Sequence, residues 1–225
     1  MKILINDLAQ SGTFTGNDSV VTTPSLMDVL TGSSGFTLSF TVSNTTAINC
    51  FGLGNTDATS VSVTFGTSIG NVFSVTNDPG LYYFTTTSSG GTNVSVTFTG
   101  GTYCGRFAIG TYRSLPIFKS REPGYKNTQM NRETLSGQVI AGLGGITKRT
   151  FSVDIKAKVN SNVLSDFESA KNYLSAQAPY FVDFTEDSAF TSITHLYAKD
   201  TSNIVFQSSM NRILYSKKFN FEECF

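Results

Sequence analysis

Between Phe36 and Phe107 apolar side chains recur at every second residue: Phe36, Leu38, Phe40 and Val42, then Val61, Val63 and Phe65, then Val94, Val96 and Phe98. Successive side chains of a strand point to opposite faces, so each run buries one face and wets the other, which a helix with this pattern cannot do. The runs are short and bounded by turn-forming stretches, Gly52-Leu53-Gly54-Asn55, Asn77-Asp78-Pro79-Gly80 and Ser89-Gly90-Gly91. Closely spaced antiparallel strands of this kind predict a β-sandwich or jelly roll over about residues 10–112. Charge is low at 14%, and Gly, Ser and Thr are abundant, which also favours short strands and turns over long solvated helices. Nineteen Phe and no Trp imply aromatic cores, because Phe suits half-buried pleated surfaces and buries a large area.

Charge divides the chain near its midpoint. Of sixteen Lys and Arg residues only Lys2 precedes Arg106, and every Glu follows it. Residues 1–105 carry one base against five acids, a net of −4, and the remainder carries fifteen bases against eleven acids, a net of +4. Two differently built halves follow. The first is a low-charge β domain, 1–112, the second a β domain at 133–225, and 113–132 is a linker or arm. Within the arm, LPIFKSREPGYKNTQ mixes two prolines with four charges and shows no apolar period, so a long loop is expected.

In the second half, ETLSGQVIAG and ITKRTFSVDIKAKV read as two strands of a hairpin joined through Gly142 to Gly145, with Phe151, Val153, Ile155 and Val159 on one side. A helix is expected over 162–176, where Val163, Phe167, Ala170 and Leu174 form one stripe. Asn160, Ser161 or Asn162 can cap it, and Pro179 forbids its continuation. Tyr180, Val182 and Phe184 then alternate, and strand-like runs follow around Leu196, Ile204 to Phe206, and Ile213 to Phe221.

The residue inventory points away from catalysis. The single histidine, His195, supports neither a catalytic triad nor a multi-histidine metal site. The adjacent acids Glu186-Asp187 and Glu222-Glu223 point to opposite faces of any strand, and Glu122 with Glu133 forms no local motif, so only acids distant in sequence could form a glycosidase pair. Gly100-Gly101 and Gly142 to Gly145 lack the Lys-Ser/Thr ending of a phosphate loop. Asn17-Asp18, Asn55-Thr56-Asp57 and Asn77-Asp78 fit turn geometry better than calcium binding. No catalytic residue, cofactor or metal is therefore expected. Cys50, Cys104 and Cys224 have no CxxC spacing and read as buried or incidental thiols. The apolar run after Lys2 is broken by Asn6 and Asp7, too short for a signal peptide, and no run is long enough to cross a bilayer, so a soluble chain is expected.

Residues 106–158 hold ten bases against three acids. Nucleic acid could use such a surface, but stacking aromatics are not interleaved with it, and acids elsewhere in the chain supply partners for subunit contacts. The candidate subunit interface is Arg121, Lys126, Arg132, Lys148, Arg149, Lys156, Lys158, Lys217, Lys218, Glu222 and Glu223. For a sugar-binding role of the Ser/Thr-rich first half, the available aromatic platforms are Tyr82, Tyr83, Tyr103 and Tyr112.

The succession KRTFSVDIKAKV, VLSDFESAKNYLSAQ, APYFVDFTED and YSKKFNFEECF, over about residues 130–225, resembles the ring-forming domain of tailed-phage tail proteins. In distal tail proteins and their tail-tube relatives a β-sandwich is flanked by one helix. The resemblance therefore implies a mainly β chain whose second half is a β-sandwich ring domain with one flanking α-helix. It also implies self-assembly into a hexameric ring, contacts with tail-tube and baseplate proteins, a place in the virion, and Pro116 to Gln129 with Glu133 to Val159 as the arm and hairpin that lock neighbours. Here the low-charge half comes first, whereas many distal tail proteins place the ring domain first.

Overall fold

The computed structural model describes residues 1–5, 7–15, 18–23, 25–43, 48–66, 71–84, 92–128, 131–133, 139–141, 146–158, 179–185, 195–202, 207–209 and 214–224. The chain is mainly β. In order, the strands are β1 (Lys2–Ile5), β2 (Thr13–Phe14), β3 (Leu30–Thr31), β4 (Thr37–Thr41), β5 (Cys50–Thr56), β6 (Ser60–Phe65), β7 (Asn71–Ser74), β8 (Gly80–Tyr83) and β9 (Asn93–Thr99). They continue with β10 (Tyr103–Ser114), β11 (Ile117–Thr128), β12 (Asn131–Glu133), β13 (Val139–Ala141), β14 (Ile146–Lys158), β15 (Tyr180–Asp183), β16 (His195–Asp200), β17 (Gln207–Ser209) and β18 (Leu214–Glu223). Short 3-10 turns occupy Leu8–Ser11 and Asp18–Thr22. The helix expected at 162–176, Val159 and the run Ile204 to Phe206 lie outside the described residues.

Two antiparallel sheets dominate. One has five strands in the order β2-β4-β9-β6-β7, and the other runs β11-β14-β18-β16-β15-β1-β10-β5-β8, with β17 beside β18 and β3 beside β10. The alternation in the first half sets the five-stranded sheet. Leu38, Phe40, Val61, Val63, Phe65, Val94, Val96 and Phe98 point inward and are buried, and they share a core with Phe51, Leu53, Phe107 and Ile109 of β5 and β10. At roughly 1.5–3 kcal/mol for each large apolar side chain, this shared core is the main force joining the two sheets.

β1 pairs with β10 on one side and β15 on the other, so the first residues of the chain lie between two strand segments of the second charge half. Being interior, β1 buries both faces. Ile3 and Ile5 pack with Phe151, Val153, Ile155, Tyr180, Val182, Phe219 and Phe221, while Leu4 packs with Leu81, Ala108, Phe181 and Tyr197. β15 is likewise buried on both faces, which explains why its four residues show no polar alternation.

Three local expectations change. Gly52-Leu53-Gly54-Asn55 is not a turn but the middle of β5. Its glycines clear space for side chains lying across the strand: a Cβ on Gly52 would sit 2.2 Å from the Phe181 ring, and one on Gly54 2.8 Å from Leu26. Ile117–Thr128, expected as a loop, is a strand at the edge of the large sheet. An edge strand tolerates charge and proline, and Pro123 falls within a register shift between Arg121 and Gly124, so an apolar period is not required. The expected hairpin is also re-paired. β13 pairs with β12, whereas both edges of β14 are taken by β11 and β18.

Candidate functional site

Among the described side chains, Lys126, Lys148, Lys218 and Glu222 share one face of β11, β14 and β18. In antiparallel pairs, directly opposed residues share a face. Lys126 lies across from Lys148, Thr150 across from Glu222, Ser152 across from Asn220 and Asp154 across from Lys218. Glu222 is the hub: its carboxylate accepts from Lys126 Nζ at 3.1 Å and lies 3.5 Å from Lys148 Nζ. Lys199 of β16 stands directly opposite it in the ladder. The hydrogen bond from Lys126 and the charges of Lys126, Lys148 and Lys199 hold the Glu222 carboxyl below its usual range.

Glu223, on the opposite face of β18, is buried and pairs with the Arg149 guanidinium, whose Nε donates at 2.9 Å. Adjacent acids therefore serve two faces, as strand geometry requires. Lys218 is exposed. The backbone positions of Arg121, Lys156, Lys158 and Lys217 lie across from Ser152, Ser216, Leu214 and Ile155, and Arg132 belongs to the separate β12-β13 ribbon. The structure thus brings together Lys126, Lys148 and Glu222 on one face and Arg149 with Glu223 on the other, and leaves Arg132 apart.

Beside Glu222 is an open cleft of about 370 Å³ lined by Gly124, Lys126, Thr150, Ser152, Asn220 and Glu222 among others. Of these only Lys126 and Glu222 stood out in the sequence. Thr150 and Ser152 could have been found from their alternation with Phe151 and Val153, which assigns them to the outer face, but Lys199 and Gly124 carry no local signal. A second open cleft, of about 340 Å³, lies on the outer face of the five-stranded sheet and is lined by Thr13, Thr15, Ser39, Thr41, Asn93 and Ser95 among others, with no charged side chain.

The four tyrosines do not form one platform. Tyr82 stacks on Phe51 at 5.1 Å and donates to the Asn77 carbonyl at 2.8 Å. Tyr103 is half-buried, with its amide donating to Asp57 and its carbonyl accepting from Thr56. Tyr83 and Tyr112 meet edge-on at 4.9 Å, and Lys2 Nζ lies 4.6 Å from the Tyr83 ring and 5.6 Å from the Tyr112 ring.

The Tyr83 hydroxyl donates to Asp183, which also accepts from the Thr185 amide at 2.7 Å and lies 3.7 Å from His195 Nε2. Burial alone would raise the Asp183 carboxyl, but these hydrogen bonds and His195 outweigh it, so it sits below its usual range. Burial lowers His195, Asp183 offsetting part of the effect, and raises the Tyr83 phenol, which stays protonated as a donor. Chemically the group is a clasp between β8 and the β15-β16 pair.

Other polar groups are engaged by the fold. Asp57 accepts from the Thr102 and Tyr103 amides, and Asp78 from those of Asn55 and Thr56, so these acids tie together segments distant in the chain. The three cysteines are free and buried. Among the described residues no helix is long and apolar enough to cross a membrane. Comparison of the chain with protein-family models, curated proteins and solved structures found no match.

Proposed function

We propose that this chain is a structural protein of a bacteriophage tail that assembles through its second half into an oligomeric adaptor ring, hexameric like the rings of distal tail proteins, in contact with the tail tube and baseplate. One observation carries the reading: KRTFSVDIKAKV, APYFVDFTED and YSKKFNFEECF supply β14, β15 and β18, which lie in one contiguous run of the large sheet around a shared apolar core. On this reading the two sheets around Phe51 and Phe107 form the outward sandwich, the helix at 162–176 flanks the ring half, and β11 presents the open sheet edge to a neighbour. The protein acts by assembly, without a cofactor and without nucleic acid.

Native mass measurement and negative-stain imaging of the full chain test this, with closed rings around a central channel as the expected result. A chain that is monomeric at all concentrations and missing from purified virions would overturn it. Lys148→Glu is the sharper interface probe than a change at Arg149, because Arg149 is committed to Glu223 within the chain. It should weaken ring formation while leaving the fold intact.

A second reading, a carbohydrate-binding module of the virion, is favoured by the uncharged cleft of Thr13, Ser39, Thr41, Asn93 and Ser95. Clustered hydroxyl and amide groups without charge suit a neutral sugar. A glycan array with the full chain separates the two readings, since ring formation without glycan binding supports the first alone.

A further inference from the structure

Lys126 and Lys148 stand directly opposite one another on adjacent strands, an arrangement that like charges make unfavourable. Lys199 adds a third ammonium across from Glu222. Among the described side chains one carboxylate answers three bases, a local surplus of two positive charges on an open face. This surplus borders a space the backbone keeps clear: a Cβ on Gly124 would lie 2.9 Å from Thr150 Oγ1, so the glycine leaves the cleft unfilled. The walls offer neutral donors as well. Ser152 donates its hydroxyl to Asn220 Oδ1 at 3.1 Å, which leaves the Asn220 amide N–H groups as donors, and the Thr150 hydroxyl lies alongside.

We infer that the cleft between Gly124, Thr150, Ser152, Asn220 and the Lys126-Lys148 pair binds a phosphate-type oxyanion, free or carried on a larger molecule. Ammonium groups supply charge-assisted hydrogen bonds, and the hydroxyls and amide fix orientation. Glu222 holds the lysines in the empty site: it prevents their mutual repulsion, and the incoming oxyanion takes over part of their coordination. The site is complete within one chain but shares Lys126 and Lys148 with the proposed subunit interface, so it is tested by direct binding and not by ring formation.

The test is titration of the full chain with inorganic phosphate and, in parallel, with polyphosphate at equal phosphorus, followed by calorimetry and amide chemical shifts. Binding that weakens with added salt and shifts amides around Gly124 and Thr150 is expected. A response to both probes assigns a free anion, and a response to polyphosphate alone assigns a phosphate group on a chain. Lys126→Gln, at a side chain 56% exposed, should weaken binding several-fold without loss of fold. Glu222→Gln should bind roughly fivefold more tightly, the factor that removing one like charge about 4 Å away gives in a water-like medium. A purely structural ion-pair network binds neither probe. No binding of either probe by the parent chain and Glu222→Gln, or equal binding by the parent chain and Lys126→Gln, would overturn the assignment.

Discussion

Gly52→Ala should destabilise the whole molecule, although it adds a single methyl to a strand. Gly52 pairs with Ala108 on one side and Leu81 on the other, so the backbone cannot retreat. The new Cβ would lie 2.2 Å from Phe181 Cδ2 and 2.5 Å from its Cγ, about 1.2 Å short of ordinary van der Waals contact. The Phe181 ring is buried and backed by Tyr197 at 4.9 Å, so it has little room to yield. Overpacking of this kind costs about 1–3 kcal/mol, and the lower chain entropy of alanine returns roughly 0.5–1, which at this overlap leaves a net loss of about 2 kcal/mol. With a urea slope near 2 kcal/mol per molar, the unfolding midpoint should fall by about 1 M. Phe181→Ala alone should cost about 3–5 kcal/mol by opening a cavity. In that background Gly52→Ala should cost nothing, because the atoms it would strike are gone. The double-mutant cycle measures this coupling directly. Additive losses, or a neutral Gly52→Ala, would refute the contact between the two halves of the chain.

Arg106→Met should cost about 3–5 kcal/mol, because it strands the buried Asp7 carboxylate, and Asp7→Leu combined with it should recover only part of the loss in urea midpoint, since the Ala9 and Ile109 amides then lose their acceptor. Acid should weaken the fold through His195. Burial places its native pKa below 6.5, so as pH falls the unfolded chain takes the proton first. The stability contributed is complete above about pH 6.5 and is lost as pH drops through the lowered native value. His195→Gln should flatten the decline in midpoint between about pH 7.5 and 5.5. Asp183, also lowered, adds a separate loss only below its unfolded value of 3.8. Cys50 and Cys104, buried with thiols pushed well up, should react with a disulfide reagent only at the rate of unfolding, and a fast stoichiometric reaction in native buffer would contradict their burial.

How far these features could be read in advance depended on whether their cause is local. The inward faces of β4, β6 and β9 follow from period-two alternation, since each of those strands has one wet face. The glycines of β5 looked like punctuation because their purpose, admitting Leu26 and Phe181, lies 28 or more residues away in the chain. β11 lacked a pattern because it is paired on one side only, and an edge is under pressure to carry charge and breaks instead of apolar residues. The same holds for the site. Lys126, Lys148 and Glu222 were visible as charges, but that one carboxylate serves three lysines is a property of register, which a single residue of slip would abolish.

Register also decides what the abrupt onset of basic residues at Arg106 means. That arginine is not the first base of a solvated face but among the most buried large side chains, 1% exposed. Its guanidinium bonds Asp7, the Val21 and Phe107 carbonyls and the Tyr197 hydroxyl. Burial alone would lower its pKa, but Asp7 and Tyr197 more than offset this, so it keeps its charge. Asp7 in turn caps the turn at Leu8–Ser11 through the Ala9 amide and accepts from the Ile109 amide. A lysine in place of Arg106 could not reach this set of acceptors, because only the planar fork offers several fixed donors at once. The pair therefore ties residues near 7, 21, 107 and 197 into one polar knot beneath the large sheet. The sequence boundary in charge and the structural junction of the two halves meet at the same side chain, so Arg106→Lys should loosen the junction even though formal charge is unchanged. Faster amide exchange in β1 and β16 together would show it, and exchange confined to β10 would count against a shared junction.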